Sequence, residues 1–270
     1  MGSDQQTPLI GREDVIGAAR ELVTSARAGR GGALIVQGAN GVGRTEVARA
    51  VAQLGRASRL PVAHIEAATF LPAPGAAMRH IARELGVVHL GSQDDQVSAI
   101  CDGLLHRARG SGLLLVIDDL QGLDDLDLAS LRVLIQPRSG VGLALVATLG
   151  RRRQDHSSTV ASMLVQDLMQ RPNCTLATLQ PWNSDEVGEF LRQTFLDSFT
   201  PAFVSQAHEL TGGNPSYLRR LADEWERLAP DDRRHLFSGV PNLLTQPLPV
   251  ALQQRVSLSL VGLPTPARQC

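Results

Sequence analysis

Ala33-Leu34-Ile35-Val36-Gln37-Gly38-Ala39-Asn40-Gly41-Val42-Gly43-Arg44-Thr45 is the stretch whose reading decides the fold. A short apolar run enters a glycine-rich turn. From Thr45 to Leu54 apolar residues then recur at helical spacing, with Val47, Ala48, Val51 and Ala52 on one face. Strand, glycine turn, helix is the opening of an α/β unit. The turn follows the spacing G-x-x-x-x-G-K-S/T, with Arg44 in the lysine position. Glycines at Gly38, Gly41 and Gly43 allow the backbone N–H groups of Asn40, Val42, Arg44, Thr45 and Glu46 to close around phosphate oxygens. The helix that follows adds the positive end of its dipole, and the Thr45 hydroxyl is placed to ligate Mg²⁺.

The same alternation continues on the C-terminal side. Val62 to Ala67 reads as a strand, Pro74 to Leu85 as a helix with proline in its first turn, and Asp95 to Ala108 as another helix. Leu113 to Ile117 is an apolar run ending in Asp118-Asp119, the pattern of a strand buried on both faces. A helix over Leu126 to Ile135, a strand over Val141 to Ala147, a helix over Thr159 to Met169 and a strand from Cys174 to Leu179 follow. Five strands alternating with helices predict a parallel sheet covered on both sides. After Pro181 strand signals stop. Asn183 with Glu186 three residues on reads as a capping box, and helical patterns recur through Phe237. The expected organisation is an α/β core over 1–180, a small all-α lid over 181–240 and an extension over 241–270.

Composition bounds the function. Of 270 residues 43% are hydrophobic and 20% charged, and 26 basic residues face 27 acidic ones for a net charge of -1. A phosphate-coating nucleic-acid binder normally carries a basic excess, so that class is disfavoured. No apolar run is long enough for a membrane-spanning helix, and the polar start of the chain has no signal-peptide core. A cytoplasmic location is the expectation. Cys101, Cys174 and Cys270 have neither disulfide nor zinc spacing, and the seven histidines show no paired ligand pattern. Every basic residue is Arg, with no Lys anywhere; a compositional bias of the whole chain is the plain explanation, and it matters because the Arg44 position ordinarily carries Lys.

Asp118, at the C-terminal end of a buried strand, is the expected metal carboxylate, and Asp119 could orient or deprotonate an attacking water. Capping of the next helix is the plain alternative for this pair, whereas Asp124, Asp125 and Asp127 read as that helix's N-terminal acids. A strand running through Thr148 to Arg151-Arg152-Arg153 offers a polar sensor, Thr148, and a guanidinium for a γ-phosphate. A solvated basic loop is the equal alternative there.

Leu9-Ile10-Gly11-Arg12-Glu13, the glycine loop, the Asp118-Asp119 strand and Gly212-Gly213-Asn214-Pro215 occur in the order found in STAND NTPases of the AAA+ superclass. Over residues 8–240 the chain resembles the ATPase region of the large LuxR-type transcriptional regulators. The resemblance implies an α/β P-loop NTPase fold with a helical lid and an ATP/ADP switch. It implies that Gly11 and Arg12 lie near the adenine, that Pro215 closes on the nucleotide, and that Thr45 and Asp118 hold Mg²⁺. The chain departs from the pattern at Arg44, at Gly122 where the family carries Trp, and at Arg151, which follows Thr148 by three residues. No recognition helix is legible after Val240, so sequence-specific DNA binding by this chain is not expected. The expected partners are nucleotide and a protein partner or a second copy, with no membrane. The expected function is a regulatory nucleotide switch with slow ATP hydrolysis, Arg44 and Asp119 carrying the chemistry. A catalytically inactive P-loop scaffold is the alternative.

Overall fold

The computed structural model describes residues 9–67, 73–87, 93–150, 159–195 and 199–227. The chain divides into two compact units, one holding 12–40 and 44–179, the other 1–11, 41–43 and 180–270.

The first unit runs α1 (Glu13–Arg27), β1 (Gly32–Gly38), α2 (Arg44–Ala57), β2 (Val62–Glu66), α3 (Ala76–Glu84), α4 (Gln93–Ser111), β3 (Leu113–Asp118), α5 (Asp125–Leu134), β4 (Leu143–Gly150), α6 (Thr159–Met169) and β5 (Cys174–Leu179). The five strands form one parallel sheet in the order β2-β3-β4-β1-β5. All of β3 is buried, as an apolar run with no alternation requires when helices cover both faces. At the β5 edge Thr175 and Leu176 are exposed. The main core joins Ile35, Ile65, Leu115, Ile117 and Leu145 of the sheet to Met78, Ile81, Leu104 and Leu128 of the helices.

Two local expectations shift. The helix expected from Pro74 begins at Ala76, after Gly75 in the left-handed region at φ 70°. Its opening N–H groups are not left to water. Asp124 accepts from Gly75 N at 2.9 Å, and Asp127 accepts from Ala77 N at 3.1 Å and Met78 N at 2.9 Å. Asp124 also caps α5 by accepting from Asp127 N. The acids read as belonging to α5 therefore serve two helix N-termini, where a carboxylate satisfies orphan donors and opposes the dipole.

Asp127 is almost wholly buried, and desolvation pushes its carboxyl up to about 6, helped by Asp124 and opposed by the two backbone N–H groups. The fold thus favours the protonated acid. The stability this gives is complete below the ordinary carboxylate range and is lost as pH rises through about 6. Between pH 4 and pH 7 the wild type should lose several degrees of melting temperature relative to Asp127→Asn. Parallel melting curves for the two proteins would show the assignment to be wrong.

The second unit contains α7 (Ser184–Phe195), α8 (Pro201–Thr211) and α9 (Pro215–Arg227). Its core gathers Ile10, Trp182, Val187, Phe190, Leu191, Phe203 and Leu218. Trp182 donates its indole N–H to the Ile10 carbonyl at 2.8 Å and lies 5.3 Å from the Phe190 ring. Asn183 and Glu186 form the reciprocal capping box at 2.7 and 3.0 Å.

Candidate functional site

β1 ends at Gly38 and α2 starts at Arg44, so five residues turn the chain from sheet to helix. Gly41 and Gly43 make that turn at φ +82° and +97°, where a Cβ would be strained. At Gly41 space is short as well, since a Cβ would stand 2.6 Å from Asn214 Oδ1 and 2.8 Å from Ser216 Cβ. Ser216 N donates to the Gly41 carbonyl at 3.1 Å and to Asn214 Oδ1 at 3.0 Å. The Gly212–Pro215 turn, read from sequence as a turn opening a helix, thus presents its following residue to the loop tip.

The strand register aligns the polar ends of the sheet. Ile117 of β3 and Ile35 of β1 both pair with Ala147 of β4, and Val36 pairs with Thr148. Asp118 therefore ends β3 beside Thr148. Thr45 donates its hydroxyl proton to Asp118 Oδ2 at 2.7 Å, and the fully buried Thr148 donates to Oδ1 at 2.5 Å. Asp119 N in turn donates to Thr148 Oγ1 at 2.8 Å. Thr148 has one proton, and Asp118 takes it. Its hydroxyl fixes the orientation of Asp118.

Asp119 adopts φ +64°, an uncommon conformation for a residue with a side chain. Gln121 Nε2 donates to its Oδ1, while Gln121 Oε1 is buried without a hydrogen-bond partner among the described residues. Gln121 was not singled out from the sequence, because nothing local marks a glutamine that folds back two residues.

Arg44 donates through Nη1 to the carbonyls of Gly38 and of Ala39, the latter at 3.0 Å. Its Nε is buried with no partner among the described residues. Burial lowers the guanidinium's pKa, and the carboxylates of Asp119 and then Asp118 oppose the drop. An unsatisfied cationic N–H behind a glycine loop suits an anionic acceptor. The neighbouring Thr45 hydroxyl and Asp118 carboxylate are hard oxygen donors, and Mg²⁺ is commonly held by one or two such protein oxygens together with phosphate oxygens and water. The residues fit that ion.

Other sequence candidates are placed as follows. Gly11 turns at φ +64°, and a Cβ there would meet the Glu186 carboxyl. Arg12 is buried next to it in sequence, before α1. Glu46 lies in the first turn of α2, 3.6 Å from Arg49. Pro215 opens α9. Arg151 lies outside the described residues. The sequence also gave no warning of Glu66, the register partner of Asp118, which accepts from Arg49 at 2.9 Å. Among the described residues no helix is long and apolar enough to cross a membrane.

Residues 8–146, more than half of the chain, match the family model described as AAA ATPase domain. No curated protein matches the chain. Among solved structures it is similar to Cdc6p from Pyrobaculum aerophilum, with TM-score 0.65 and 17% identity over 97% of this chain and 73% of that one. It is similar to the ORC2 protein of Aeropyrum pernix, described as ADPNP-ADP complexes, with TM-score 0.60 and 15% identity over 95% and 70%. The RuvB Holliday junction branch migration motor of Thermotoga maritima gives TM-score 0.56 and 14% identity over 94% and 73%. At these identities the likeness is one of fold.

Proposed function

Because the chain belongs to the AAA ATPase domain family, we propose that it is an ATP/ADP-binding switch module of the signal-transduction or transcription-regulator type, as in STAND proteins and LuxR-type regulators, whose hydrolysis is slowed by Arg44. The observation that carries the reading is the 2.7 Å bond from Thr45 to Asp118, joining a glycine loop to a carboxylate 73 residues away. In this reading the backbone from Gly38 to Glu46 holds phosphates, Thr45 and Asp118 hold Mg²⁺, and Gly11 and Arg12 serve the base. Bound Mg²⁺ would neutralise charge developing on the β- and γ-phosphate oxygens. Thr148 keeps Asp118 oriented, and Asp119, steadied by Gln121, orients the attacking water.

Nucleotide carried through purification, compared with and without Mg²⁺, tests the proposal directly. Retained ADP or ATP that is lost on chelation supports it. A protein that binds neither, as wild type or as Arg44→Lys, is instead the scaffold, a reading favoured by the bonds with which Arg44 ties the loop's own carbonyls.

The turn at Asn214–Ser216 gives a milder test. Pro215 fixes one backbone angle between the two residues that meet Gly41. Pro215→Ala should weaken ADP retention by about 1–2 kcal/mol, since it loosens a turn and removes no charge. Equal ADP affinity by calorimetry, with an unchanged circular dichroism spectrum, would remove Pro215 from the nucleotide-binding residues.

A further inference from the structure

A cavity of about 400 Å³ opens at the N-terminal end of the sheet, where Gly32 and Ala33 start β1 and Cys174 starts β5. Six residue steps of β1, about 20 Å at 3.3 Å each, separate this end from Gly38. Among the described residues Arg30, Arg138 and Arg171 line the cavity, and no Asp or Glu does. The acid adjacent to its wall, Asp167, is paired with Arg132 at 2.6 Å.

Two of these arginines are held in place. Arg138 donates through Nη1 to the carbonyls of Val133, Leu134 and Gln136, and Arg171 through Nη1 to that of Ile135. Four consecutive carbonyls at the end of α5 thus anchor two guanidiniums within one helical turn. The helix end offers roughly half a negative charge against two full positive ones, so repulsion between the forks is only partly relieved. With the described residues, Nε and Nη2 of both arginines make no hydrogen bond, and the Arg30 side chain makes none at all. The remaining donors of Arg138 and Arg171 are therefore pre-positioned and uncommitted, the arrangement that lowers the ordering cost of binding.

We propose that this cavity is a second anion site, separate from the glycine loop, that takes a phosphorylated small molecule. Two anchored guanidiniums with a third, Arg30, beside them suit a phosphoryl group, which offers more acceptor oxygens and more charge than a carboxylate. The cavity's volume falls in the range of small-ligand pockets.

Inorganic pyrophosphate, titrated by calorimetry into the full chain, is the probe. Arg44→Ala/Thr45→Ala, which disables the glycine loop, should still bind it. Adding Arg138→Gln and Arg171→Gln should weaken that binding at least tenfold. Because those two arginines also hold the end of α5, Arg30→Gln supplies an arm with no described bond to lose, and it should weaken binding severalfold with the melting temperature unchanged. The proposal is overturned if Arg30→Gln binds like its parent. It is equally overturned if disabling the glycine loop removes all pyrophosphate binding, or if a short DNA duplex displaces pyrophosphate at lower concentration than pyrophosphate itself binds.

Discussion

Arg44→Lys should raise ATP turnover by about tenfold or more, equivalent to about 1.4 kcal/mol of barrier. Arginine keeps the positive charge but is longer, planar and forked, so it cannot follow charge from the γ-phosphate to the leaving group as a compact ammonium does. In this protein the fork is also engaged. Nη1 bonds the carbonyls of Gly38 and Ala39, and Nη2 lies 3.0 Å from where a Cβ on Gly150 would stand. Ground-state attraction should survive the swap, because loop N–H groups and the start of α2 supply much of it. Phosphoryl transfer depends on positioning and electrostatics, and there an engaged fork should be costly. Wild-type turnover is expected well below the roughly 1–100 s⁻¹ of kinases, measured as phosphate release at saturating ATP. A brisk wild type that Arg44→Lys leaves unchanged would show that arginine simply does the work of lysine in a lysine-free chain.

Asp118→Ala should have two separable effects. It removes the acceptor of the fully buried Thr148 hydroxyl and of Thr45, and one unsatisfied buried donor costs about 1–3 kcal/mol of stability. It also removes the carboxylate proposed to hold Mg²⁺, so Mg²⁺-dependent retention of nucleotide should fall by about two orders of magnitude, the scale of losing a charged contact of about 3 kcal/mol. Asp118→Asn divides these effects. Its amide oxygen still accepts a hydroxyl proton, so most stability should return, whereas the lost charge keeps Mg²⁺ dependence weak. If Asp118→Asn retains nucleotide and responds to Mg²⁺ like wild type, Asp118 is a structural partner of Thr45 and Thr148 and not a metal ligand.

Much of this architecture is local, and local features were legible. The run Leu113–Ile117 reads as a strand buried on both faces, and Gly38–Thr45 as a glycine turn between strand and helix, and both elements stand where the sequence put them. Helix starts with a side-chain cap in their own sequence, such as Asn183 with Glu186, were legible for the same reason. A start capped from afar was not. Helix α3 takes its capping carboxylates from Asp124 and Asp127, about 50 positions away, so Pro74 was misplaced inside it.

Sequence alone determined the order of elements, the parallel sheet and the glycine loop, because periodicity and glycine's tolerance of positive φ act within a few residues. The tertiary structure alone decided that Thr148 holds Asp118, that Gln121 steadies Asp119, that Ser216 meets Gly41, and that three arginines share one cavity. Apart from the Gln121 contact, which spans two positions but follows no local rule, these meetings join residues 30 or more positions apart, and no short window of sequence carries that information.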